Sequence, residues 1–158
     1  MKAAGEGERI AEQLRRMHEG DAWHGPSLKE LLEGVTAQQA AKTPSPGMHS
    51  IWQLALHIAA WEEIVLRRLR GEVFTAKLDS TEDWPSVPKA DDAAWQQAKD
   101  RLRKTGQELA GAIPASSEAT LLETAAGQKY SNYVMLHGCV QHAAYHAGQM
   151  ALVKKLLR

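Results

Sequence analysis

The segment from Ser131 to Leu157 contains no proline, and its apolar stripe recurs every three or four residues through Met135, Cys139, His142, His146, Met150, Val153 and Leu157. That is the period of an α-helix with one face turned to a core, so the chain must supply other helices for this face to pack against. Two positions in the stripe are histidines, in the run His142-Ala143-Ala144-Tyr145-His146. Helical side chains at i and i+4 stand above one another, so two imidazoles at this spacing reach a common point. The pair alone is a motif frequent by chance, and a metal needs at least one further ligand.

The remaining chain supplies three more helix-sized segments. A first is expected from about Glu8 to Val35, with Ile10, Leu14 and Met17 on one stripe and Leu28, Leu31, Leu32 and Val35 on a later one. Gly20, Gly25 and Pro26 should bend or break it, with Ser27 or Asp21 capping the part beyond. Lys42-Thr43-Pro44-Ser45-Pro46-Gly47 reads as a turn. From Ser50 to about Arg70 the period returns through Leu54, His57 or Ile58, Trp61, Ile64 and Val65, with Gly71 as a C-terminal cap. Glu72 to Lys89, carrying Pro85 and Pro88, reads as a long crossing connection. Asp91 or Asp92 opens a third helix through Trp95, Ala98, Leu102, Thr105 and Leu109, ending near Gly111 to Pro114. The expectation is an all-α chain forming a four-helix bundle as a single domain over residues 1–158, with a link between helices 2 and 3 long enough to leave them parallel.

Nineteen basic and nineteen acidic residues cancel, which gives no electrostatic reason to expect nucleic acid or an anionic membrane as partner. The single cysteine, Cys139, excludes an intramolecular disulfide. With no hydrophobic leader region near the N-terminus and no apolar run of about 18 residues, the chain reads as soluble and cytoplasmic. No Gly-rich phosphate loop, nucleophile elbow or Cys-x-x-Cys is present, which moves nucleotide transfer and serine hydrolysis out of the front rank.

Five of the seven histidines, His49, His57, His137, His142 and His146, lie in or beside the two most apolar segments. His57 follows Leu54 by three and precedes Trp61 by four, so a third imidazole points inward from a separate stripe. Burying three unpaired imidazoles would cost on the order of one to several kcal/mol each, so they must be bonded to something, or to one another through a metal. Zinc, nickel, copper and iron all suit neutral imidazole, and three protein nitrogens leave coordination positions open. A metal there lowers the pKa of bound water to roughly 7 or binds a thiol as thiolate. Cys139 is either a fourth ligand or reactive thiol, or a small buried hydrophobe. His49 lines a pocket or bonds the local backbone, His24 is equally open, His137 has a surface or packing role, and His18 is expected in solvent. Trp23, Trp52, Trp61, Trp84 and Trp95 are expected in the core or a pocket wall, with an aromatic cage as the alternative. Glu62 and Glu63 either orient a ligand histidine or act as a base, or are ordinary exposed glutamates.

Trp23-His24-Gly25-Pro26-Ser27-Leu28, His49-Ser50-Ile51-Trp52 with Leu56-His57-Ile58 and Trp61-Glu62, and His142-Ala143-Ala144-Tyr145-His146-Ala147-Gly148-Gln149 together resemble the DinB-like (damage-inducible, YfiT-type) superfamily. The resemblance covers nearly the whole chain. It implies an up-down-down-up bundle, often homodimeric, in which His57, His142 and His146 hold a divalent metal, usually nickel or zinc. Relatives of this kind include S-transferases that use bacillithiol or similar low-molecular-weight thiols, and a mycothiol-dependent isomerase. The expected function is therefore a metal-dependent enzyme, such as a thiol S-transferase acting on a small molecule. The alternatives are a metal-dependent hydrolase and a non-enzymatic, stress-related metal-binding or interaction module. The charge balance lends no support to a nucleic-acid role.

Overall fold

In a computed structural model that describes residues 5–87 and 89–157, the chain is all-α, and no strand occurs among those residues. Four helices are long: α1 (Glu6–Glu19), α4 (Ile51–Leu69), α5 (Asp92–Ala112) and α7 (Asn132–Leu156). Three are of five residues each, α2 (Leu28–Leu32), α3 (Ala37–Ala41) and α6 (Glu118–Leu122).

The expected first helix is broken rather than bent, and it ends earlier than its apolar stripe suggested. Gly20 closes α1 at a φ of +147°, and a new start at Ser27 follows. Ser27, not Asp21, is the cap: its hydroxyl accepts from the Glu30 amide at 3.3 Å while Glu30 accepts from the Ser27 amide at 2.8 Å. Val35 falls beyond the end of α2, and α3, capped by Thr36, was not anticipated. The same reciprocal cap, Ser50 with Gln53, opens α4, and Gly71 at φ +87° follows its end as expected. Asp91 caps α5 and Ser131 caps α7. Between α5 and α7 the chain adds a short 3-10 turn, Ile113–Ala115, and α6, neither of which has a long enough period to be read in the sequence. Glu72 to Val87 forms only turns; Pro88, part of that expected connection, lies outside the described residues.

α4 packs against both α5 and α7, and α1 packs against the same two helices. Most of the α4 circumference is buried, so this helix is the centre of the fold rather than one amphipathic wall of it. One end of the core holds Met17, Leu28, Trp52, Ile58, Trp95 and Leu102 against Ala143, Ala147 and Met150. The other holds Ile10, Leu14, Val65, Leu109, Leu136 and Cys139. Ala143 and Ala147 carry small side chains where α7 is buried, and His142 and His146 each lie one residue before one of them.

Two sequence expectations are overturned at the α1–α4–α5 junction. His18 is not solvated but 7% exposed, and its Nε2 lies 2.6 Å from Glu62 Oε1. Glu62 is 1% exposed and serves this pair instead of a metal ligand, with the Thr105 hydroxyl donating to its other oxygen at 2.9 Å. Gly106 leaves the space the His18 ring fills, since a Cβ there would collide with the ring. Glu63 lies at the surface side of α4 and pairs with Arg101 at 2.7 Å.

Burial opposes charge on His18, but the Glu62 carboxylate, by attraction and hydrogen bond, and then Glu19, outweigh it and hold the pKa above the ordinary value. A histidine whose folded pKa is raised stabilises fully below its unfolded pKa of about 6.5, and that contribution is lost as pH rises through the folded value. Wild-type stability to urea should therefore decline on the alkaline side of pH 6.5, and a His18→Gln variant should lack that slope. His18→Ala should cost about 3–5 kcal/mol, because it leaves a buried carboxylate without its counter-ion.

Candidate metal centre

α4 presents His57 and α7 presents His142 and His146, and one ligand nitrogen from each lies within 4.8 Å of the others. The structure thus brings together the three histidines singled out by the two stripes. His142 Nε2 is 3.0 Å from His57 Nε2 and 3.1 Å from His146 Nε2. His57 and His146 are buried at 4% and 7% exposure, while His142 is half-buried.

The outer nitrogens settle what the inner ones offer. His57 Nδ1 lies 2.7 Å from the Asp83 carbonyl oxygen, to which it donates. His146 Nδ1 lies 2.6 Å from Gln149 Oε1 and donates likewise. A neutral imidazole has one N–H, so both rings turn a bare Nε2 lone pair toward His142. His142 Nε2 carries at most one proton, which cannot serve two lone pairs at once. If its proton sits on Nδ1, three lone pairs face one another. Either way hydrogen bonding leaves a mismatch, and a cation accepting all three lone pairs removes it. The donor set fits a divalent transition metal, and Asp83 and Gln149 are the groups that set ligand orientation.

The electrostatics agree. Burial, and then the neighbouring His146 and His57, push the pKa of His142 down to about 3. Burial also lowers those of His57 and His146, against the Asp83 carbonyl bond in one case and the Gln149 bond in the other. All three rings are neutral near pH 7, the form that ligates.

The long connection before α5 closes the site. Trp84 stacks on His57 with ring centres 3.8 Å apart, and His49 stacks on the far face of Trp84 at 3.6 Å. Trp61 Nε1 donates to Asp83 Oδ1 at 2.8 Å, tying helix and connection together. His49 is therefore an exposed wall residue outside the three-nitrogen cluster. His24 is exposed, and His137 pairs with Glu6 at 3.2 Å away from the centre. Trp61 and Trp84 line the site, Trp52 and Trp95 are core as expected, and Trp23, expected in the core or a pocket wall, is 100% exposed in the link between α1 and α2, where it borders a surface groove away from the histidines. Cys139 lies one turn before His142 and outside the cluster; burial, then the charge of Glu62, pushes its thiol well above the usual range. It stays protonated, as a small hydrophobe would.

Asp83 is the residue that sequence reasoning missed. Its only sequence signal is an acid beside a tryptophan in a connection without periodicity. From His57 and His142 a cleft of about 370 Å³ opens between α4 and α7, walled by Trp61, Trp84 and Cys139.

The family model of the DinB superfamily matches residues 22–150, a span that includes all three histidines, Asp83 and Gln149. The chain belongs to the DinB superfamily. The crystal structure of a conserved protein from Enterococcus faecalis is similar to it with a TM-score of 0.70 at 20% identity, covering 99% of this chain and 98% of that one. At that identity the likeness shows the fold alone. No curated protein matches the chain significantly. Among the described residues no helix is long and apolar enough to cross a membrane.

Titrating the metal-free protein with zinc or nickel should show one tight site. His57→Ala, His142→Ala and His146→Ala should each abolish it, and Gln149→Ala should weaken it about 10–100-fold by freeing the His146 ring. Isothermal titration calorimetry checks both.

Proposed function

We propose that this DinB protein is a metal-dependent enzyme of the thiol S-transferase type, in which His57, His142 and His146 hold a divalent ion, nickel or zinc. The carrying observation is the meeting of three neutral imidazole nitrogens at the end of an open cleft. A purely bracing ion would be better served by a closed, four-ligand site. Bound there, such an ion supplies Lewis acidity that favours the thiolate of a low-molecular-weight thiol.

The chain's own groups do the rest. Asp83 and Gln149 fix the ring planes of His57 and His146, so the ligand set does not reorganise when a ligand arrives. Trp61 and Trp84 exclude water from the flank of His57 and keep the cleft largely apolar. A thiol entering the cleft gives its proton to solvent, and its sulfur forms a bond to an electrophilic carbon as the leaving group departs with its electron pair. The same reading takes residues 1–158 as one DinB-like domain of up-down-down-up topology, working in the cytoplasm as a homodimer. The packing of α4 and α1 against the same two neighbours supports the bundle part of that reading.

Incubated with a low-molecular-weight thiol and a chromogenic aryl halide, the zinc- or nickel-loaded protein should form the thioether, and turnover should vanish on chelation or in His142→Ala. Metal-dependent ester hydrolysis that needs no thiol would instead establish the hydrolase, and a metal that only raises the melting temperature would establish the bracing role.

A further inference from the structure

The last turn of α4 carries a charge that the metal centre does not use. Arg68 is only 5% exposed, yet no carboxylate among the described residues pairs with it. Its Nε donates to the Phe74 carbonyl at 3.0 Å and its Nη1 to the Tyr130 hydroxyl at 3.2 Å. Those bonds orient the guanidinium and link it to the connection and to the turn before α7. They engage two of its five N–H groups with uncharged acceptors. The three side-chain atoms that are fully sealed and unpartnered among the described residues are Trp52 Nε1, Gln128 Nε2 and Asn132 Oδ1, so the Arg68 Nη2, which neither bond engages, is not shut away. Arg68 lines the cleft that begins at His57 and His142.

The two helices give that cleft an order. Along α4 it runs past His57, Trp61, Val65 and Arg68, and along α7 it runs back from His142 through Cys139 to Met135. The α-carbons of His57 and Arg68 are roughly 16 Å apart along the helix axis. Arg68 shortens the gap by folding back, with its guanidinium carbon 5.9 Å from the Trp61 ring centre. The cleft therefore has a nitrogen-ligand end, an apolar middle and a cationic end. Asp83, the only carboxylate lining it among the described residues, is occupied by Trp61 Nε1 and by the Asp79 amide at 2.9 Å. A desolvated guanidinium without a counter-ion is costly unless a ligand supplies one, and a carboxylate matches its fork of donors.

We infer that Arg68, assisted by the Tyr130 hydroxyl, is a carboxylate-binding subsite, and that the small molecule drawn into the cleft carries a carboxylate at the end remote from the metal-binding histidines. The assignment of the opposite end, beside the histidines, as the reacting end rests on the function proposed above. Binding of the acid to Arg68 does not.

The test compares 6-mercaptohexanoate with its neutral counterpart 6-mercaptohexanol on zinc-loaded protein, and hexanoate with hexanol on metal-free protein, by calorimetric titration. Wild type should prefer the acid by about 10-fold or more in both pairs, the range expected of a charge-assisted hydrogen-bonded contact. Arg68→Gln should erase the preference while leaving alcohol affinity unchanged, Arg68→Lys should keep part of it, and Tyr130→Phe should reduce it. Equal affinity for acid and alcohol in wild type would overturn the inference, as would a preference that survives Arg68→Gln. Should Arg68→Gln fail to fold, the wild-type comparison and Tyr130→Phe still decide. An Arg68-dependent preference in metal-free protein, with no effect of the thiol group in the loaded one, would retain the subsite and defeat the S-transferase reading.

Discussion

Three imidazole nitrogens turned toward one another inside a helical core are a problem that hydrogen bonds do not solve. Asp83 and Gln149 each take the proton-bearing nitrogen of one ring, which leaves two lone pairs pointing at a third ring with room for a single proton. The elements around them are disposed to maintain that arrangement. α4 runs buried through the centre to carry His57, α7 brings His142 and His146 beside the small Ala143 and Ala147, and the connection from Glu72 onward folds over them with Asp83 and Trp84. A core built only for stability would place Leu or Met at these positions, where burial of each side chain contributes about 1.5–3 kcal/mol. The imidazoles give up that contribution, and a ligand-binding role accounts for the exchange.

The fold separates two histidine environments by charge. At the α1–α4–α5 junction, Glu62 gives His18 a counter-ion and raises its pKa, so this ring is an element of stability. At the α4–α7 interface no carboxylate compensates burial strongly enough, and His142 falls to about 3. Position within one helix decides the outcome: Glu62 and His57 both belong to α4 but face different neighbours. The neutral cluster suits a cation. The charged pair suits packing.

Much of this was legible in the sequence because helical periodicity reports burial. The stripes through Leu54, His57 and Trp61 and through Met135, His142 and Met150 placed the three imidazoles inside, and Ser50, Asp91 and Ser131 marked three helix starts. His18 carried the same signal, standing four residues after Leu14, although the expectation placed it in solvent. Glu62 was misread because α4 is buried nearly all round, so the usual division into a core face and a water face does not hold there. Asp83 was beyond reach: it lies 26 residues from its His57 partner in a connection without period, and only the folded chain brings the two together. The five-residue helices α3 and α6 are too short to show a repeat, and their cap residues Thr36 and Ser117 were their only signatures. In the sequence nothing distinguishes Arg68 from Arg67 and Arg70 beside it; its burial without a carboxylate partner among the described residues belongs to the folded chain.

X-ray absorption at the zinc edge of the loaded protein, without added thiol, addresses the central claim directly. The account predicts three imidazole nitrogens at about 2.0–2.1 Å, with the rest of the shell made of light atoms from solvent, and two imidazoles in His142→Ala. A sulfur scatterer at about 2.3 Å, which would put Cys139 on the metal, or a shell of oxygens without imidazole scattering, would contradict it.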